Sequence, residues 1–112
     1  MDIGDAVYNL TVLADRLRSG ELSHDLSVLE HEALSASVLR PTPDEPFEDG
    51  KASSDTLYVV IAGFGSLGSG DGDELEATAG DVLFVPAGAN RRFTKLSRKF
   101  RVWRLTLLAR ST

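Results

Sequence analysis

Gly80-Asp81-Val82-Leu83-Phe84-Val85-Pro86-Ala87-Gly88-Ala89-Asn90-Arg91-Arg92-Phe93 is the stretch on which the fold turns. Gly80-Asp81 is a turn signal, the apolar residues 82–85 read as a strand, and Pro86-Ala87-Gly88 reverses the chain into the next one. Upstream, Leu57-Tyr58-Val59-Val60-Ile61-Ala62 is a continuous apolar run closed by Gly63. It is too short for an ordinary helix and rich in Val and Ile, so it reads as a buried strand.

Outward from this centre the remaining segments are also β-like. Residues 25–39 carry Leu26, Val28, Leu34 and Val38, interrupted by Glu30, His31 and Glu32, which predicts two strands joined near Ala33. Pro41, Pro43 and Pro46, with Asp44, Glu45, Glu48, Asp49 and Gly50, predict an acidic loop at a sheet edge, because proline cannot serve in a central strand. The Gly-, Ser- and Asp-dense residues 66–73 read as a turn region before a strand at Glu74, Leu75 and Glu76. Residues 91–96 and 100–108 read as two further strands, with Phe100 and Trp103 in the core or at a dimer contact. The one helical signal is Leu10, Leu13, Ala14 and Leu17, with Asn9 as N-cap and Gly20 as stop. A helix over about 9–19 and strands at short intervals over about 25–110 fit one all-β sandwich or barrel spanning 1–112.

The quoted stretch resembles the second conserved motif of the cupin family: a glycine, five residues, a proline, one residue, a glycine, two residues and a histidine. Gly80, Pro86 and Gly88 satisfy it, and Arg91 stands where the histidine belongs. Residues 56–63 are similar to the end of the first cupin motif, where a glutamate precedes six residues and a glycine. Thr56 stands in the place of that glutamate, and the two histidines of the motif fall among Asp49, Gly50, Lys51 and Ala52. The resemblance covers about 34–108. It implies a cupin-like β-barrel, a double-stranded β-helix of jelly-roll type with one short N-terminal helix, and a homodimer.

It also implies that the family's metal is not held in the family's way. Imidazole and carboxylate suit transition metals, whereas a guanidinium keeps its charge and coordinates no cation. No metal and no cofactor are expected. His24, His31, Glu30 and Glu32 are the residues from which a substitute site would have to be rebuilt.

Composition narrows the functions further. Hydrophobic residues make up 42% and charged residues 26%, with no cysteine, which removes disulfides, thiolate metal sites and cysteine nucleophiles. A net charge of −5 argues against a nucleic-acid partner. Eight of the twelve Lys and Arg nonetheless stand at or after Arg91, so a local anion site is compatible with the acidic whole. There is no membrane-length apolar run and no signal-peptide pattern, and a cytoplasmic location is the expectation.

Three other motifs fail on context. Gly63-Phe64-Gly65-Ser66-Leu67-Gly68 has dinucleotide-fingerprint spacing, but Ser69-Gly70-Asp71-Gly72-Asp73 follows where a helix is required. Asp71, Asp73, Glu74 and Glu76 lack the ligand order and central glycine of a calcium loop. No serine lies in a GxSxG elbow.

Strand alternation puts Thr56, Tyr58 and Val60 on one face of their strand and Arg91 and Phe93 on one face of theirs, and the resemblance implies that these faces line the barrel interior, with Lys95 near the mouth of the pocket. The expected function is metal-independent binding of a small, anionic organic molecule, with Arg91 as its partner or as an internal plug. Two alternatives stand beside it. One is a small cupin enzyme of isomerase, cyclase or lyase type, working through Tyr58, His31 or Lys95. The other is a non-catalytic structural dimer.

Overall fold

A computed structural model describes residues 9–17, 25–44, 48–51, 53–68 and 74–108. Helix α1 spans Leu10–Leu17, and the Asn9 side chain caps it by accepting from the Val12 amide at 3.2 Å. Nine strands follow: β1 Asp25–Glu30, β2 Leu34–Leu39, β3 Glu48–Lys51, β4 Thr56–Ala62, β5 Phe64–Gly68, β6 Glu74–Thr78, β7 Val82–Val85, β8 Asn90–Thr94 and β9 Arg101–Leu107. All their pairings are antiparallel. One sheet has the order β1-β2-β9-β4-β7, the other β3-β8-β5-β6.

The inner faces of the two sheets meet in a core of Leu39, Tyr58, Val60, Leu67, Ala77, Val85, Phe93, Leu96, Phe100 and Val102. The helix sits on the opposite face of the larger sheet, where Ala14 packs with Val28, Val38 and Trp103. Trp103 therefore belongs to this outer cluster and Phe100 to the inner core. Arg104 fastens the end of that sheet: its Nη2 donates to both Asp25 carboxylate oxygens at 3.0 and 3.1 Å, and its Nε to Ser37 Oγ at 3.1 Å.

Two sequence expectations need correction. Residues 66–68, read as turn, belong to strand β5, which lies between β6 and β8. Pairing on both sides supplies the order that two glycines and a serine do not favour by propensity. Gly65 also gives room to its neighbours, since a Cβ on it would lie 2.6 Å from Leu96 Cδ2 and the Leu96 side chain would have to shift. The reversal that separates β4 from β5 is Gly63 alone, at φ +76°. The second correction is β3: residues 48–51 of the acidic segment form a short strand, at the sheet edge where that segment was placed. Gly20, His24 and residues 69–73 lie outside the described residues.

Candidate functional site

The reading of Gly80-Asp81 and Pro86-Ala87-Gly88 as turns is borne out in detail. Gly80 and Gly88 adopt φ +98° and +86°. Asp81 closes the first turn, its amide donating to Thr78 O and its carboxylate accepting from the Thr78 amide at 2.9 Å. Ala89 N donates to Pro86 O across the second turn. Asp55 joins this turn to the start of β4 by accepting from the Ala87 amide at 2.8 Å. The two motif segments are thereby locked in register, with Thr56 opposite Val85.

That register carries Thr56, Tyr58 and Val60 inward from β4, and Arg91 and Phe93 inward from β8. Their exposures are all 0–2%, so the five side chains are closed to bulk solvent and packed together. The Tyr58 and Phe93 rings meet edge to face with centroids 5.1 Å apart, and Phe93 leans on Phe100. Lys95 is not on that face. β8 ends at Thr94, Lys95 takes φ +53°, and this break in alternation sends its side chain outward to Glu74, 2.8 Å away.

Arg91 is the largest fully buried side chain among the described residues. Its Nη1 donates to Thr56 Oγ1 at 2.5 Å, and its Nη2 to the carbonyl oxygens of Ser54 and Pro86 at 3.4 and 3.5 Å. Its Nε is buried without an acceptor. All three acceptors are neutral, and no described carboxylate forms an ion pair with it. Among the described residues this buried guanidinium is uncompensated, a condition that costs about 3–5 kcal/mol where it arises by loss of a partner.

The residues at the cupin ligand positions do not fit a metal ion. The Thr56 hydroxyl is taken up by Arg91, and a fixed positive charge occupies the space a cation would need. Among the described residues no three His, Asp or Glu side chains converge. His31 sits in the exposed β1–β2 turn, where its Nδ1 accepts from the Ala33 amide, far in function from an interior acid–base group.

The Lys95–Glu74 pair shifts both partners. Lys95 beside it holds the Glu74 carboxyl below its ordinary value, and Glu74 raises the Lys95 ammonium. The stability this single interaction gives is present above the ordinary carboxyl range and lost as pH falls through the lowered Glu74 value. At the other end it is lost as pH rises through the raised Lys95 value. Because both groups are solvent-exposed, Lys95→Gln is expected to leave the thermal transition nearly unmoved at neutral pH and to leave anion binding intact. Thermal unfolding with and without 0.5 M salt, at roughly the Debye screening limit, checks the first statement.

No protein-family model matches the chain, and no curated protein matches it. Solved structures do. An uncharacterized conserved protein with a double-stranded β-helix domain from Klebsiella pneumoniae superposes with a TM-score of 0.72 at 14% identity, over 97% of this chain and 95% of that one. A cupin superfamily protein from Desulfitobacterium hafniense gives 0.62 at 18% identity, over 76% of each chain. The EutQ protein of Clostridium difficile gives 0.65 at 19%, over 78% of this chain and 68% of that one. Among the described residues no helix is long and apolar enough to cross a membrane. The two facing antiparallel sheets, the motif turns and these superpositions together establish that the chain has the cupin fold, a double-stranded β-helix.

Proposed function

We propose that this protein is a metal-independent binding module that takes a small organic molecule through a carboxylate or similar oxyanion at Arg91. The observation that carries the reading is the orphaned charge: a guanidinium 1% exposed, bonded among the described residues only to neutral oxygens, with Nε unused. An oxyanion at Nε would supply both the missing acceptor and the missing charge. Thr56 orients the guanidinium from one side, and Tyr58 and Phe93, packed edge to face beside it, would have to part to admit the rest of the ligand. The test is thermal stabilisation and calorimetric titration of ligand-free protein with a panel of small mono- and dicarboxylates, beside their amides. Saturable binding of at least one acid and not its amide is expected; no binding of any acid would overturn the reading.

The same reading includes a second copy of the chain. On the outer face of the larger sheet, Leu105, Leu57 and Phe84 lie in one cross-strand row, and Trp103, Val59 and Val82 in the next. Val82 and Phe84 are 60% and 57% exposed, and the helix covers only the Trp103 side. These rows carry no charge, so two copies of a chain of net charge −5 can meet there without burying like charges. A standard interface takes about 800 Å² per partner, roughly a ninth of this chain's 7019 Å². Sedimentation is expected to show a dimer for the native sequence and a folded monomer for the double substitution Val82→Glu, Phe84→Glu. A native chain that stays monomeric at about 100 μM, where an interface of this size is occupied, would remove this part.

A further inference from the structure

In the smaller sheet Leu67 and Ala77 turn toward the core, so alternation turns Phe64 and Ser66 on β5, and Glu76 and Thr78 on β6, to the outer face, with Ser66 directly opposite Glu76. Together with Asp81 and Lys95 these four line a cleft of about 490 Å³, within the range of small-molecule sites. Ser66 is the one buried side chain of the six. Strand β5 is paired on both sides, with Thr94 of β8 across from Ser66, so this residue is only 5% exposed although it faces outward. Its hydroxyl has no hydrogen-bond partner among the described residues. Burial without a partner leaves a hydrogen bond unmade, and a molecule in the cleft would supply it.

The charges around Ser66 are uneven. Lys95 is held by Glu74 at 2.8 Å, and Asp81 uses one carboxylate oxygen on the Thr78 amide. Glu76 makes neither a hydrogen bond nor an ion pair among the described residues, and Lys95 acts on it only through the longer-range field. With the Lys95–Glu74 pair neutral, the cleft carries the two negative charges of Glu76 and Asp81, beside a Phe64 ring that is 59% exposed. We infer that this cleft binds a small primary amine, whose ammonium donates to Ser66 Oγ and meets the Glu76 and Asp81 carboxylates while its apolar body lies against Phe64. An ammonium has the three donors these acceptors require, and an aromatic ring favours a cation beside it. A bare metal ion would find two carboxylates and a hydroxyl, fewer ligands than zinc or calcium takes. The cleft lies on the opposite face of the sheet from Arg91 and takes the opposite charge, so the failure of either reading leaves the other standing.

Titration of the native chain with phenethylamine at neutral pH and constant ionic strength, followed by the ¹H–¹⁵N amide signals of Phe64, Ser66 and Thr78, reads the outcome. Saturable shifts are expected from phenethylamine and none from 2-phenylethanol, which keeps the ring and lacks the charge. Tetramethylammonium, which keeps the charge and lacks the N–H donors, is expected to bind more weakly than the amine. Glu76→Gln and Ser66→Ala are each expected to weaken amine binding about fivefold. Lys95→Gln, which releases Glu74 from its partner, is expected to strengthen it about threefold. Glu32→Gln removes the same charge from the exposed β1–β2 turn and is expected to bind as the native chain does. No saturable shift up to about 10 mM amine, a concentration that occupies a site of millimolar affinity, would overturn the proposal. So would equal binding of the alcohol, equal weakening by Glu32→Gln, or binding of a lysine-containing peptide but not of phenethylamine, which would make the cleft a protein-docking site instead.

Discussion

Gly63→Ala is expected to lower the stability of the fold by about 4 kcal/mol or more, whereas Gly80→Ala and Gly88→Ala each lower it by only about 1–2 kcal/mol. All three glycines have positive φ, so all three substitutions carry the backbone cost of an L-residue in the left-handed region. They differ in what a side chain would meet. At Gly80 and Gly88 there is open space. At Gly63 a Cβ would lie 2.4 Å from Ser97 Oγ and 2.8 and 2.9 Å from the backbone N and Cα of Phe100. Ser97 can rotate, but it would give up its bond to the Phe64 amide, and the Phe100 backbone cannot move without shifting a core ring. Backbone overlap added to strain brings the loss to about 4 kcal/mol or more, against about 5–15 kcal/mol for a whole domain. Urea unfolding of the three variants checks this, and equal midpoints for Gly63→Ala and Gly88→Ala would show that the packing at Gly63 is not as described.

Arg91→Met is expected to raise the stability of ligand-free protein by about 1–3 kcal/mol while abolishing binding of the carboxylates that stabilise the native chain. Methionine fills most of the arginine stem's volume and brings no charge into the Tyr58 and Phe93 surroundings. Three bonds to neutral acceptors are lost, two of them at 3.4 and 3.5 Å and weak. Relief of the buried charge outweighs them. Had Arg91 been an internal plug satisfied by its surroundings, the same substitution would lower stability and leave carboxylate binding, if any, unchanged. Thermal unfolding of both proteins with and without ligand separates the cases.

Much of this was legible in the sequence because its signals are local. The motif glycines mark turns that require positive φ, and Pro86 fixes a reversal, so the strand limits around Val82–Val85 follow from backbone sterics alone. Alternation from Thr56 and from Arg91 then gave the inward residues, since a strand with one buried face admits one register. Where alternation stopped, so did the reading: nothing in Thr94-Lys95-Leu96 announces that β8 ends before Lys95. The strand at Phe64–Gly68 was hidden because its order comes from neighbours distant in sequence, β6 and β8, rather than from its own residues. The sequence shows a surplus of Arg and Lys after residue 91, but only the fold brings Arg40, which follows β2, near Arg98, Lys99 and Arg101.

The unused Nε–H of Arg91 offers the most direct measurement of the central claim. In ¹H–¹⁵N spectra of the arginine side chains, a fully buried Nε–H exchanges slowly and gives a resolved signal, assigned by its loss in Arg91→Met. Titration with a carboxylate that stabilises the protein is expected to move this signal downfield and saturate it with the same affinity that calorimetry gives, as the orphaned donor acquires a charged acceptor. A signal that stays in place while the carboxylate binds, or one already at a hydrogen-bonded position in ligand-free protein, would contradict the account.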